Sequence, residues 1–280
     1  MVNYFLKFIY YRKQCIRRKL NAIFFRFKFL FFEYFNPIFN STFKKQTRCV
    51  NLIPIIIINF NQLLCLKRLL HFLAVNDMQN IVIIDNASTY VPLLNFYKSI
   101  SSSVKLHLLS ENYGHRVFWE RKDLQVLYGS GFYVITDADV VPFVDCPSDF
   151  LLHFKNILIA NKKLSKVGFS LDLKLIPECN TNKEIIVKWE RKFWNDSNDA
   201  DGYDAPIDTT FALYRPLNQF DSNQFYNAIR TKPPYIAKHY GWLIDSQNPT
   251  VEQKFYQQTA SSSFSWKVDD DGNIVQKNYL

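Results

Sequence analysis

The sequence predicts an α/β fold built on a doubly wound, mostly parallel sheet, and three observations predict it. Short β-branched runs alternate with leucine-rich stretches at helical spacing. Each run closes on polar residues at its carboxyl end. The fourth run, Tyr133-Val134-Ile135-Thr136-Asp137-Ala138-Asp139, stops at two carboxylates one residue apart. A run of this kind between Gly129/Gly131 and Pro142 reads as a buried strand. Alternating strands and helices read as a parallel sheet, whose carboxyl edge is where open α/β sheets bind ligands.

The elements follow in order. Pro54–Asn59 (Pro-Ile-Ile-Ile-Ile-Asn) is the first strand and ends in the turn Asn59-Phe60-Asn61. Gln62–Ala74 places Leu63, Leu64, Leu66, Leu69, Leu70 and Leu73 at helical spacing. Ile81–Ile84 is the second strand, closing on Asp85-Asn86-Ala87-Ser88, and Pro92–Ser99 is a short helix. Val104–Leu109 is the third strand and leads to Asn112-Tyr113-Gly114-His115. In the less regular second half, Val187–Asn195 carries Trp189, Glu190, Arg191, Phe193 and Trp194, followed by an acidic stretch, Asp196–Asp208. Flat aromatic rings beside carboxylates suit a sugar, and they equally suit a tryptophan pair in the core beside a solvated loop. Ile207–Arg215 reads as a further strand preceded by Asp208.

The chain has 280 residues, 48% of them apolar, with 26 Phe, 16 Tyr and a net charge of +9. That charge sits in residues 1–48, which hold eleven Lys or Arg against Glu33 alone and interleave them with aromatics, above all over Leu20–Phe39. This composition is that of an interfacial helix attracted to anionic lipid, though a pair of helices packed through their aromatics has it too. The near-neutral body argues against nucleic acid as a partner. The sequence thus divides into a basic aromatic arm, 1–48, and a domain, 49–280, with halves of about 49–145 and 146–280. Five cysteines without CxxC or metal-ligand spacing fit a reducing compartment. No segment offers 18 uncharged apolar residues, and Lys7, Arg12 and Lys13 interrupt any leader-like stretch. The expected location is cytoplasmic, peripheral on the inner face of the cell membrane.

Two carboxylates at a strand end form a hard-oxygen site suited to Mg²⁺ or Mn²⁺, ions that bridge phosphates; an Asp-x-Asp is also an ordinary exposed turn. No Gly-x-Gly-x-x-Gly follows the first strand and no Walker lysine loop is present, which disfavours dinucleotides and ATP-type P-loops.

In this order the pieces resemble the family 2 glycosyltransferases of the GT-A fold, over about Pro54–His239. The turn at Asn59–Asn61 is similar to the family's opening turn, Ile83–Ser88 to its base-contacting strand, Asn112–His115 to its Asn-x-Gly segment, and Thr136–Asp139 to its metal motif. His239-Tyr240-Gly241-Trp242 resembles its His-containing element. The resemblance implies a Rossmann-like, mostly parallel sheet flanked by helices. It implies metal-dependent, inverting transfer from a nucleotide-diphospho-sugar to a glycan or lipid-linked acceptor, in cell-surface polysaccharide synthesis. It assigns the metal, Mn²⁺ or Mg²⁺, to Asp139, Asp137 and His239, and the nucleotide-sugar to Asn59, Asn61, Asp85, Asn112, Gly114, His115 and Asp137. The base falls to Asp208, with Asp204 and Asp201 as neighbours; the family's Glu-Asp pair is here Ile207-Asp208. The alternatives are a nucleotidyltransferase acting on sugar phosphates and a non-catalytic carbohydrate-binding or scaffold protein.

Overall fold

The computed structural model describes residues 40–194, 202–218 and 227–260. Leu20–Phe39 of the basic arm and Asp201 lie outside the described residues. The chain divides into two compact units, Met1–Arg48 and Cys49–Leu280. In the first, helix α1 (Ser41–Arg48) starts at Asn40, whose Oδ1 accepts the amide of Phe43 at 2.9 Å as an N-cap.

The second unit holds strands β1 (Ile55–Asn59), β2 (Ile81–Asp85), β3 (Lys105–Leu108) and β4 (Tyr133–Asp137), which are mutually parallel in the order β3-β2-β1-β4. The linking helices are α2 (Leu63–Val75), α3 (Val91–Ile100), α4 (Val117–Glu120) and α5 (Lys122–Tyr128). The sheet continues through β8 (Ala212–Tyr214), β6 (Lys166–Leu171) and β9 (Ala228–His239) to β5 (Val140–Pro142), while β7 (Tyr203–Asp204) pairs with β9. Strand β8 runs antiparallel between β4 and β6, and β5 and β7 run antiparallel to β9. Six of the nine strands among the described residues therefore share one direction, the mostly parallel arrangement expected from the GT-A resemblance. Helices α6 (Phe150–Ala160), α7 (Lys183–Arg191) and α8 (Val251–Thr259) complete the unit.

Both faces of β1, β2 and β4 are covered, which is why they read as unbroken apolar runs, whereas β3, Lys105–Leu108, is partly exposed. Ile56, Ile58, Val82 and Ile84 pack with Phe118, Trp119, Tyr133 and Tyr214 on one face. Their neighbours Ile55 and Ile57, equally buried, point to the other face. A second aromatic cluster links Phe150, Phe154, Phe169 and Phe211, with centroids 4.7 to 6.1 Å apart.

Two sequence expectations need correction. The strand expected over Ile207–Arg215 is only Ala212–Tyr214: the Pro206, Ile207 and Asp208 carbonyls accept from side chains, while Thr209 O and Phe211 O accept from the amides of Asp137 and Phe169. Leu64, expected on the buried face of its helix, is 44% exposed, and Phe72 takes up burial there instead. In β9 the pairing with β6 steps from Thr231 to Ile236 across Pro233-Pro234, residues without an N–H to donate.

Strands β6 and β8 approach so closely that a Cβ on Gly168 would sit 2.7 Å from Ala212 Cβ and collide with the Phe211 carbonyl. Gly168→Ala is expected to cost roughly 1–3 kcal/mol, a drop in Tm of about 2–4 °C per kcal/mol for a domain of this size. Thermal unfolding of the purified variant measures it, and an unchanged Tm would refute the close approach.

Candidate active site

The registers Asn59↔Asp85 and Ile58↔Asp137 bring the carboxyl ends of β1, β2 and β4 to one edge. The chain order reverses here, since β1 to β3 build outward on one side and β4 returns to the other. Such a switch point opens a crevice. A cleft of about 470 Å³ lies there, lined by Phe60, Gln62, Asn86, Asn112, Gly114, His115, Arg116, Asp137 and Asp139 from the first half. The second half contributes Trp189, Glu190, Asp208, Thr209, Thr210, Arg230, His239, Trp242 and Tyr256.

The two carboxylates are set by a short connection. Asp137 ends β4 and Asp139 immediately precedes β5. The connecting backbone is fixed on three sides: Asp137 N donates to Thr209 O (3.0 Å), Ala138 N to Ile58 O (3.1 Å), and Tyr240 N to Asp139 O (2.7 Å). Thr209 Oγ1 donates to Asp137 Oδ2 at 2.6 Å. Burial, then the charges of Asp139 and Asp208, push the Asp137 carboxyl well above the usual carboxylate range, and the threonine hydrogen bond opposes this.

Pairing of Val140 with His239 brings that histidine, from the far end of β9, beside Asp139. His239 Nδ1 lies 3.6 Å from Asp139 Oδ2 and has no hydrogen-bond partner, and the ring stacks on Trp242 at 4.5 Å and 3°. Gly241 leaves the space between them open: a Cβ there would meet Asp139 Oδ2 at 2.8 Å and His239 Nδ1 at 3.1 Å. An oxygen donor, an orphaned imidazole nitrogen and an open cradle fit a Mn²⁺ or Mg²⁺ ion that takes its remaining ligands from water and phosphate. Among the described residues no group of three or more His, Cys, Asp or Glu is arranged to hold a metal unaided.

The other expected residues separate into two sets. Asn112, Gly114 and His115 reach the cleft, in a turn where Gly114 N donates to Asn112 Oδ1 (2.8 Å) at a φ of 71°. Asp208 also reaches it, while Asp204 is exposed in β7 and does not line it. Asn59, Asn61 and Asp85 are buried and not among the lining residues; most of their polar side-chain atoms are hydrogen-bonded within the fold, while Asn59 Oδ1 has no hydrogen-bond partner among the described residues. Asp85 accepts from Ser88 N (2.8 Å) and the Tyr97 hydroxyl (2.7 Å), and Asn59 Nδ2 donates to the same hydroxyl (2.8 Å). Asn61, at φ 53°, accepts from Thr89 and Tyr90 amides and donates to Thr259 Oγ1 at 2.9 Å.

Sequence reasoning missed several lining residues. Asn86 is the one polar residue of its segment that reaches the cleft; its side chain bridges Gly114 O (2.8 Å) and Tyr113 N (3.1 Å). Arg230 forms a buried ion pair with Glu190 and stacks over Phe193 at 4.4 Å; its strand also carries Lys232, Lys238 and His239, so no signal in the sequence singled it out. Tyr256 arrives on α8, whose capping box, Thr250 with Gln253, was legible.

Fold and cleft define a doubly wound α/β protein with a carboxylate-rich crevice at the sheet's switch point. No known family's sequence profile matches the chain, and no curated protein matches it in sequence. Several solved structures similar to it are glycosyltransferases. A mannosyltransferase from Pyrobaculum calidifontis, solved with GDP-Man and Mn²⁺, is 16% identical with a TM-score of 0.43, over 68% of this chain and 59% of its own. TarS (residues 1–349) from S. aureus is 12% identical with a TM-score of 0.41, over 74% and 68%. A putative glucose-1-phosphate thymidylyltransferase from Bacillus anthracis is 12% identical with a TM-score of 0.35, over 58% and 71%. The chain thus spans less than two thirds of the mannosyltransferase, and none of these overlaps is close enough to carry a function across.

Gly241→Ala, which fills the cradle between Asp139 and His239, is expected to weaken Mn²⁺-dependent binding of UDP or GDP tenfold or more, about 1.4 kcal/mol. Calorimetry with and without Mn²⁺ checks it; equal affinities in wild type and variant would show that the cradle holds nothing.

Proposed function

We propose that this chain transfers a sugar from a nucleotide-diphospho-sugar to a glycan or lipid-linked acceptor, with inversion at the anomeric carbon. The observation that carries the reading is the crowding of Asp137, Asp139 and Asp208 in one cleft beside an unpartnered imidazole nitrogen. Carboxylates so placed call for a cation, and a nucleoside diphosphate brings its own divalent ion. A Mn²⁺ or Mg²⁺ ion held by Asp139 with His239 and Asp137 supplies charge stabilisation to the departing diphosphate.

The chain's own residues do the rest. Asn112, Gly114 and His115, with Arg116, form the wall that receives the nucleotide and its phosphates. Phe60 and Tyr256, edge to face at 6.2 Å, offer an aromatic surface to the base. Asp85, Asn59 and Asn61 support that wall from below. Trp189, which lines the cleft and is only half-buried, offers a flat ring to a sugar, while Trp242 backs the His239 imidazole. Asp208 accepts the proton of the acceptor hydroxyl as its oxygen attacks from the face away from the leaving group. Residues 1–48, by their charge and aromatics, hold the chain at the cytoplasmic face of an anionic membrane, where a lipid-linked acceptor would lie.

A hydrolysis panel of UDP-, GDP-, CMP- and dTDP-sugars with Mn²⁺, run beside nucleoside triphosphate plus sugar 1-phosphate, separates transferase from nucleotidyltransferase. Turnover of one sugar nucleotide is expected; turnover only of the triphosphate pair would overturn the reading. Asp139→Asn is expected to lose most of that turnover. Asp208→Asn is expected to lose about 10²–10⁴-fold in kcat with donor binding kept, and normal turnover in it would move the base elsewhere. Binding of the full chain to anionic liposomes is expected to fall, without vanishing, as salt rises. Salt-independent binding, or none, would refute the membrane role of residues 1–48.

A further inference from the structure

The segment bearing Asp208 is irregular backbone, yet four consecutive carbonyls along it are each taken by a donor from the sheet. Pro206 O accepts from Arg230 Nε at 2.9 Å, and Ile207 O from the Lys166 ammonium. Asp208 O accepts from the Tyr214 hydroxyl at 3.1 Å, and Thr209 O from Asp137 N at 3.0 Å. The three side-chain donors come from three strands, β9, β6 and β8, and each residue is at most 5% exposed. Lys166 is the least expected of them. A lysine is rarely buried unless its charge is met, and here it stands against Ile207 O with the Tyr214 ring 5.3 Å away. Burial lowers its pKa to about 8, with Asp208 raising it and Arg230 lowering it.

We propose that Lys166 and Tyr214 are positioning residues that clamp the Asp208 peptide and so fix where its carboxylate stands in the cleft. This rests on the reading of Asp208 as the base. Neither side chain lines the cleft, so neither touches substrate. Their effect passes through two adjacent carbonyls to the Asp208 side chain, which lines the same cleft as Asp137. Because Thr209, the next residue, also holds Asp137, the clamp sets the base and the metal-side carboxylate in one frame. An error of about 1 Å in such a frame can cost on the order of 10²-fold in rate.

Lys166→Met and Tyr214→Phe, each alone and combined with Asp208→Asn, test this. The readouts are hydrolysis of whichever of UDP-glucose, UDP-N-acetylglucosamine, GDP-mannose or dTDP-glucose is turned over fastest with Mn²⁺, and calorimetric binding of UDP and GDP. Each single variant is expected to lose roughly tenfold or more in kcat, with KM and nucleotide affinity within about twofold. Neither is expected to lose more when Asp208 is already Asn, because nothing remains to be positioned. Should Lys166→Met fail to fold, Tyr214→Phe decides alone, since it removes one hydroxyl and keeps the ring that stacks on Tyr133. Losses that add to that of Asp208→Asn, or that appear in KM or nucleotide affinity, would overturn the clamp in favour of a general packing role. Wild-type rates in the clamp variants beside a large loss in Asp208→Asn overturn the clamp alone. Full activity of Asp208→Asn moves the base elsewhere and overturns the clamp with it, and no turnover of any donor by the wild type overturns the functional reading as well.

Discussion

The sheet's carboxyl edge is arranged around a carboxylate, Asp137, whose charged form is disfavoured first by burial and then by the charges of Asp139 and Asp208. A fold that tolerates this must hold the carboxylates rigidly, or they would swing apart into water. The backbone of the Asp137–Asp139 connection accordingly has hydrogen bonds to β1, to the Thr209 segment and to the end of β9. Those anchors come from stretches of sequence far apart, so the crevice depends on the whole sheet being closed.

The other ionic pair in the cleft follows the opposite logic. Arg230 and Glu190 neutralise each other in a buried setting, and Arg230 also holds the Pro206 carbonyl. Breaking one partner of a buried pair leaves an unpaired charge and costs more than the pair contributes. Arg230 is therefore a joint between α7, β9 and the Asp208 segment, and its charge is committed inward.

Much of the first half was legible in the sequence because its physics is local. Strands covered on both faces must be apolar throughout, and their polar ends mark the edge, so β1, β2, β4 and the Asp137/Asp139 pair could be read directly. The expectations for Asn59, Asn61 and Asp85 rested on the same strand-end signal, which cannot distinguish a side chain facing the crevice from one engaged beneath it. Tyr97, which engages both Asn59 and Asp85, lies on α3, and no spacing in the sequence announces it. The second half was harder to read. Strand β6 is identifiable only from its neighbours β8 and β9, and the Asp208 segment is held by side chains instead of a ladder. Irregular backbone fixed by distant donors leaves no periodic trace.

The tie between Asn61 and Thr259 spans 198 positions of sequence. Glu252 reinforces it by accepting the amides of Leu63 and Leu64 at the start of α2, at 3.0 Å each, and Tyr90 packs on Phe255 at 5.1 Å. Helix α8 is thus a wall of the crevice seated on the first strand's turn and made later in synthesis than the strands it covers. Contacts of such long separation form late. On the ribosome the α/β core can assemble while this wall is still missing, so a nascent chain would hold its carboxylates in an open groove and enclose them only once α8 has emerged.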